Sequence, residues 1–297
     1  MQVWEKLGRI YCPNGDNSLF KTHAYLPTPT VLEDRIRVYF ASYDKNKRGR
    51  ITFIDLDKEN PKKILYIHNK PIVNLGEPGT FDCDGVSPSC IFRKYNKFFL
   101  YYVGWQRTEA VPFMLYIGLA ESDDGIAFKK YSRAPILDRI DEERFIRSAP
   151  FVIDEDNNKY TMYYVSSPRL WGEYCIYRLE SWNLYCWNGV GKIAIPIKPR
   201  EFGIGRPYAI KENNIYRMWY SYRGNKIPYK IGYAESIDGY VWKRKDEDIV
   251  FIDNYETWDN EMMCVPYIID VGGDKRLMFY NGNGMGRSGF GYAKLHR

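Results

Sequence analysis

Histidine is scarce in this chain, with three among 297 residues, and the six cysteines stand singly. No two of them keep the two-residue spacing that grips zinc, so Cys12, Cys83, Cys90, Cys175, Cys186 and Cys264 read as buried thiols and no metal is expected. Long apolar runs are missing as well. Nothing approaches a membrane span, and Met1-Gln2-Val3-Trp4-Glu5-Lys6 lacks the apolar segment of a secretory leader, which leads to the expectation of a cytoplasmic protein with no membrane partner. Neither sign of charge dominates. Interspersed, 43 basic and 37 acidic residues leave a net +6, which gives no nucleic-acid footprint but suits an anionic small molecule. Gly282 to Gly286 lacks the Gly-Lys-Ser/Thr ending of a phosphate loop and reads as a flexible loop, and no cofactor motif occurs elsewhere.

Aromatic residues, in contrast, make up 17% of the chain, with 27 Tyr and 8 Trp, and flat rings pack well on the faces of pleated strands. Helix should be nearly absent. Five prolines, Pro29, Pro88, Pro150, Pro207 and Pro266, recur at intervals of 59, 62, 57 and 59 residues, each opening an apolar run. A second run follows each one and ends in paired aromatics: Tyr39-Phe40, Tyr101-Tyr102, Tyr163-Tyr164, Trp219-Tyr220 and Phe279-Tyr280. Two independent markers with one period signal repeated sheet units that bury their faces only against each other. The expected fold is all-β, a five-bladed β-propeller with four antiparallel strands per blade, in a single domain over 1–297.

Blades are expected at about 21–73, 81–138, 145–197, 202–252 and 258–297, the last completed by 3–11. In the fourth unit Pro207 to Ile210, Ile215 to Tyr220, Lys230 to Ser236 and Tyr240 to Phe251 read as strands, with the Asp238-Gly239 turn before the last. Ile117-Gly-Leu-Ala-Glu-Ser-Asp-Asp-Gly125 repeats Ile231-Gly-Tyr-Ala-Glu-Ser-Ile-Asp-Gly239. The fifth unit ends after three strands, so the N-terminal strand should join it and close the ring.

Residues ahead of each proline should ring the mouth of a central channel. They are His23; Asp82 and Asp84; Arg147; Arg206; and Asp259 and Glu261. Phe81-Asp-Cys-Asp84 and Trp258-Asp-Asn-Glu261 share one pattern that the other units lack, and this asymmetry points to a site. Facing carboxyls suit glycosidic cleavage, with Asp84, Glu261, Asp82 and His23 as the catalytic candidates. Arg147 and Arg206 would grip a phosphate or carboxylate. Asp259, Trp105, Trp171, Arg223 and Asn283 complete the candidate substrate-binding set. Each has a structural alternative: Asp82 as a turn residue, His23 as a packed histidine, Arg147 and Arg206 as ion pairs between blades.

Thr22-His-Ala24, Leu32 to Tyr39, Gly79-Thr-Phe-Asp-Cys-Asp-Gly-Val-Ser-Pro88, Lys211 to Arg223 and Phe279-Tyr-Asn-Gly-Asn-Gly284 resemble the five-bladed propeller proteins related to glycoside hydrolase families 43, 32 and 130. Over nearly the whole chain it is similar to members encoded among genes for bacterial surface polysaccharides. The resemblance implies an Asp in the first blade, an Asp in the second and a Glu in the third. Asp84 matches the second, His23 stands near the first, and Phe145-Ile-Arg147 carries no acid at the third. Either Glu261 and a loop acid such as Glu173 or Glu201 take over, or the bond differs. The implied activity is on a glycosidic or glycosyl-phosphate bond, with a carbohydrate or nucleotide-sugar partner. A non-catalytic sugar binder and a protein-interaction scaffold are the alternatives.

Overall fold

Strand chemistry dominates because β-branched and aromatic residues alternate with polar ones in short runs broken by Asn, Asp and Gly turns. The computed structural model describes residues 1–155, 157–169, 172–273 and 275–296. After β1 (Gln2–Tyr11) comes a first antiparallel meander, β2 (Thr22–Val31), β3 (Arg35–Tyr43), β4 (Gly49–Asp57) and β5 (Ile64–Ile67). A second follows, β6 (Gly85–Lys94), β7 (Lys97–Gln106), β8 (Met114–Ser122) and β9 (Lys129–Lys130). The third is β10 (Arg147–Asp154), β11 (Tyr160–Ser166), β12 (Cys175–Ser181) and β13 (Lys192–Ile195). The fourth is β14 (Glu201–Glu212), β15 (Ile215–Gly224), β16 (Ile227–Ser236) and β17 (Lys243–Arg244). Then come β18 (Ile249–Ile252) and the three strands β19 (Cys264–Asp270), β20 (Arg276–Asn281) and β21 (Phe290–His296).

Among the described residues the chain is thus nearly all-β, with one four-residue helix, α1 (Asn283–Gly286), and no sheet closes on itself. β1 lies antiparallel to β21, with Trp4 opposite Leu295, and parallel to β18, with Val3 opposite Val250. Each first strand touches the next: β2 meets β6, β6 meets β10, β10 meets β14, β14 meets β19, and β19 meets β2.

The two aromatics of each pair do different work. In four of the five pairs the first reaches into the following sheet. Tyr39 donates to the Gly125 carbonyl at 2.6 Å, Tyr101 to Leu184 at 2.7 Å, Tyr163 to Gly239 at 2.9 Å, and Trp219 through Nε1 to Gln2 at 3.0 Å. The three carbonyl acceptors sit in turns, two of which order themselves through an aspartate: Asp124 Oδ1 accepts the N–H groups of Ile126 and Ala127, and Asp238 Oδ1 those of Tyr240 and Val241. The second aromatic lies under the third strand. A Cβ on Gly118 or Gly232 would stand 2.2 or 2.3 Å from the ring of Tyr102 or Tyr220, which is why glycine recurs in the two matching Ile-Gly segments.

Two expectations are corrected. The stretch from Tyr240 to Phe251 is not one strand. It forms β17, a short 3-10 turn over Asp246–Asp248, and β18. Asp246 pins the bend by accepting Tyr220 Oη at 2.5 Å while pairing with Arg244 and Lys198, each at 2.9 Å. The prolines, moreover, do not begin their strands. They lie inside them, next to shifts of register between Tyr25 and Thr28, Pro88 and Cys90, Ser148 and Phe151, Gly205 and Tyr208, and Cys264 and Tyr267. Proline donates no ladder hydrogen bond, and a bulge is where a sheet tolerates that. In the first meander the bulge proline is therefore Pro27, since Pro29 pairs regularly with Val38.

Candidate functional site

The bulges decide which side chains turn inward. Leu26, Ala149, Arg206 and Val265, each just before a proline, have φ of 60°, 50°, 55° and 57°. Left-handed backbone costs a non-glycine residue about 1–3 kcal/mol and persists where the surroundings impose it, often at functional sites. These four, with Ser87 before Pro88, line one cavity of about 450 Å³ to which all five meanders contribute. Tyr43, Trp105 and Arg223, each the third residue past an aromatic pair, line it too.

One wall is aromatic. Tyr25 stacks on Tyr43 with centroids 5.0 Å apart, Tyr43 meets Trp105 edge-on at 6.4 Å, and His23 meets Tyr43 edge-on at 4.9 Å. Val103, Leu115, Ile146, Val165 and Ile204 form an aliphatic wall. Among the described residues no aspartate or glutamate lines the cavity.

Its charge is cationic and unpaired. Arg206 Nη1 makes only long bonds, 3.5 Å to the Pro88 carbonyl and 3.4 Å to Ser89 Oγ, and has no ion pair among the described residues. Burial pushes its pKa down to about 10, with Tyr25, Tyr229 and Cys264 only partly offsetting this, so the guanidinium remains protonated at neutral pH. Arg223 lies over the rings of Phe202 and Tyr229 at 4.9 and 5.2 Å, and its Nε has no hydrogen-bond partner. Ser148 Oγ is also without one although the residue is 1% exposed. Buried polar atoms left open in a cavity are available to a ligand. Burial first, and the Arg287 charge second, hold the His23 imidazole below its ordinary pKa, so it is neutral at pH 7.

Of the sequence candidates, then, the cavity gathers His23, Trp105, Arg206 and Arg223. Trp171 lies outside the described residues. Asp82, Asp84, Arg147, Asp259, Glu261 and Asn283 are not in the lining. Asp84 is partly exposed and accepts the Arg107 N–H at 2.9 Å. Glu261 is exposed. Asn283 clamps the loop beneath it, accepting the N–H groups of Glu261 and Met262 and donating to the Thr257 carbonyl and Asn260 Oδ1.

The remaining three belong to a repeated structural device. The second aromatic of each pair, where it is tyrosine, donates to a carboxylate that also meets a cation. Tyr102 binds Asp82 at 2.8 Å with Lys130 at 2.6 Å, and Tyr280 binds Asp259 at 2.8 Å with Lys6 at 3.3 Å. Tyr164 binds Glu143 at 2.8 Å with Arg147 at 2.5 Å, and Tyr220 binds Asp246 with Arg244 and Lys198. The acid read in two units thus extends to a third: Asp82, Glu143 and Asp259 lie 20 or 21 residues before their tyrosines, whereas Asp246 follows Tyr220 by 26. The first meander has Phe40 instead and packs it on Tyr11 and Phe290.

The sequence reading missed Tyr25, Ser148 and Tyr229. Part of the signal was present: Tyr25 and Ser148 each stand two residues before a bulge proline, Pro27 and Pro150, whereas Tyr229 follows no repeat landmark. No cluster of three or more His, Cys, Asp or Glu side chains fit to hold a metal occurs among the described residues.

No family model matches the sequence. The uncharacterized protein Rv1502 of Mycobacterium tuberculosis is 35% identical over 301 residues, spanning 99% of each chain. A β-1,2-mannobiose phosphorylase of a Thermoanaerobacter species is 25% identical over 136 residues, 43% of this chain and 45% of that one. Among solved structures, a protein of the glycoside hydrolase 130 mannoside phosphorylase family, described as targeting β-1,2 mannosidic linkages in Candida mannan, superposes with a TM-score of 0.75 at 13% identity, covering 98% and 93% of the two chains. A thermostable family-43 glycoside hydrolase superposes with a TM-score of 0.66 at 18% identity, covering 96% and 91%. Likeness at such identities speaks for the fold. The chain therefore belongs to the family of the mycobacterial protein Rv1502, built on the propeller fold of the glycoside hydrolases.

Proposed function

We propose that this protein is a five-bladed propeller that takes a sugar bearing an anionic group, a glycosyl phosphate or a nucleotide-sugar, and acts on its glycosyl bond. The observation that carries this reading is Arg206, a partly buried guanidinium facing a cavity with no carboxylate among the described residues to neutralise it. A buried charge without a partner is costly, and an arriving phosphate or carboxylate supplies both charge and hydrogen-bond acceptors. Trp105 and Tyr43 offer the flat faces on which a sugar ring stacks. Contact from each first strand to the next, around to β2, supports the five-bladed count.

Two-carboxylate hydrolysis inside the cavity is not this reading, because the lining offers no acid among the described residues. Proton transfer would fall to Asp84 or Glu261, the two acids of the sequence candidates that the trios leave out. Incubation of the protein with a pool of glycosyl phosphates, nucleotide-sugars and neutral oligosaccharides, followed by mass spectrometry, tests the proposal. Consumption of anionic members only, lost in Arg206→Gln, is the expected outcome. Consumption of neutral oligosaccharides by both proteins would overturn it. The acid-free lining also favours a second reading, a binder without turnover, for which retention of anionic sugars without product is the signature.

A further inference from the structure

The two arginines of the cavity face different ways. Arg206 reaches across to the second meander, where its Nη1 meets the Pro88 carbonyl at 3.5 Å and Ser89 Oγ at 3.4 Å, and Ser89 in turn donates to the Pro150 carbonyl of the third at 2.8 Å. That guanidinium therefore lies where the first strands converge. Arg223, at the end of β15 and opposite Gly203, is held by the rings of Tyr229 and of Phe202, which is half-exposed near the start of β14. Along β14 Phe202 precedes Gly203, whereas Arg206 lies three residues beyond it, roughly 10 Å at about 3.3 Å per residue, so the ring that holds Arg223 is on the side away from Arg206. Neither cation is neutralised. Among the described residues neither has an ion pair, and Arg223 donates no hydrogen bond. Tyr229 feels both: burial raises its pKa, and the charges of Arg223 and Arg206 each pull it back.

From this we infer that the ligand carries an anionic group at each end of one sugar ring, one received by Arg206 and the other by Arg223, as in a hexose 1,6-bisphosphate or a hexuronic acid 1-phosphate. The inference rests on the anionic-ligand reading above and narrows it from one charged group to two. A single phosphate on Arg206 leaves Arg223 uncompensated, whereas anionic groups separated by a pyranose ring give each guanidinium its own acceptor. The lining suits the ring between them. Ser148 lies opposite Val165, and Arg223 opposite Gly203 beside Ile204, so hydrogen-bonding and aliphatic surface interleave as hydroxyls and C–H groups do on a sugar. Ser148 Oγ, buried and without a partner, is open to a hydroxyl. A volume of about 450 Å³ lies within the usual range of small-molecule sites.

Calorimetry on the intact protein with the 1-phosphates and 1,6-bisphosphates of glucose and mannose, and with glucuronic acid 1-phosphate, tests this. A doubly substituted sugar should bind about tenfold more tightly than the matching 1-phosphate, as one further charge-assisted contact implies. Whichever doubly substituted sugar binds more tightly names the group that Arg223 takes. Arg223→Gln should erase most of that advantage while weakening the 1-phosphate far less, whereas Arg206→Gln should weaken both. A bisphosphate and a uronic acid 1-phosphate that bind no more tightly than the 1-phosphates would overturn the two-ended assignment and leave the anionic reading standing. So would an equal loss for both kinds of ligand in an Arg223→Gln protein of wild-type thermal midpoint. Failure of every one of these anions to bind would remove the anionic reading itself.

Discussion

In the sheets Asp82 is held by Tyr102 and Lys130, and Glu143 by Tyr164 and Arg147, so that every buried carboxylate of the four trios meets a hydroxyl and a cation. In the cavity Arg206 is partly buried and meets no carboxylate among the described residues; open buried atoms occur in both regions, at Arg147 Nε and Asp259 Oδ1 as at Arg223 Nε and Ser148 Oγ, so the missing counter-charge is what sets the cavity apart. A protein that pairs buried charge so consistently in one region and leaves it unpaired in another is arranged for a missing partner. The contrast teaches that an isolated acid in the sequence is weaker evidence for a site than a cation the fold declines to pair.

Breaking a trio should cost the most. Asp82→Ala leaves the Lys130 ammonium and the Tyr102 hydroxyl without their buried acceptor, and should lower stability by about 3–5 kcal/mol in a denaturant titration. Wild-type stability in that variant would show that the trio is decorative. The cavity should respond the opposite way. Arg206→Gln removes an uncompensated charge, so the thermal midpoint should hold or rise while affinity for an anionic ligand falls roughly 10- to 100-fold by calorimetry.

Latches between meanders come next in size. Tyr163→Phe deletes one hydroxyl donor to Gly239 and should cost about 1 kcal/mol, with no change in ligand affinity; a change in affinity would mean that the latch and the cavity are coupled. His23 gives the smallest effect. Its folded pKa lies below 6.5, so it is neutral when the cavity is empty, and its stabilising contribution is present above that value and lost as pH falls. A bound anion favours its protonated form. Binding of a sulfate ester, whose own charge is fixed, should therefore tighten a few-fold as pH drops from 7 to 5.5. His23→Gln should flatten that slope, and an unchanged slope would assign it to another group.

Much of the fold was legible in the chain because strand periodicity, turn residues and aromatic pairs all repeat with one spacing. The all-β character and the propeller family follow from them. The trios were partly legible: Asp82, Glu143 and Asp259 stand 20 or 21 residues before their tyrosines, whereas Asp246 lies beyond Tyr220 and only packing brings it there. The cavity was half legible. His23, Trp105, Arg206 and Arg223 were found through their nearness to repeat landmarks, whereas Arg147 was misplaced because the bulge, rather than distance from the proline, sets which residue turns inward. That is a backbone property, visible only as φ of 50° at Ala149 and 55° at Arg206. Cysteine burial was read correctly for Cys90, Cys175 and Cys264, while Cys12 and Cys83 are only partly buried and Cys186 is exposed.

The most direct test measures thermal midpoint and hexose 1-phosphate affinity side by side in wild type, Arg206→Gln and Asp82→Ala. If the unpaired arginine is the site and the paired acids are scaffold, Arg206→Gln loses affinity at an undiminished midpoint and Asp82→Ala loses midpoint while its folded fraction binds as the wild type does. An Arg206→Gln protein that melts several degrees lower and still binds would contradict the account.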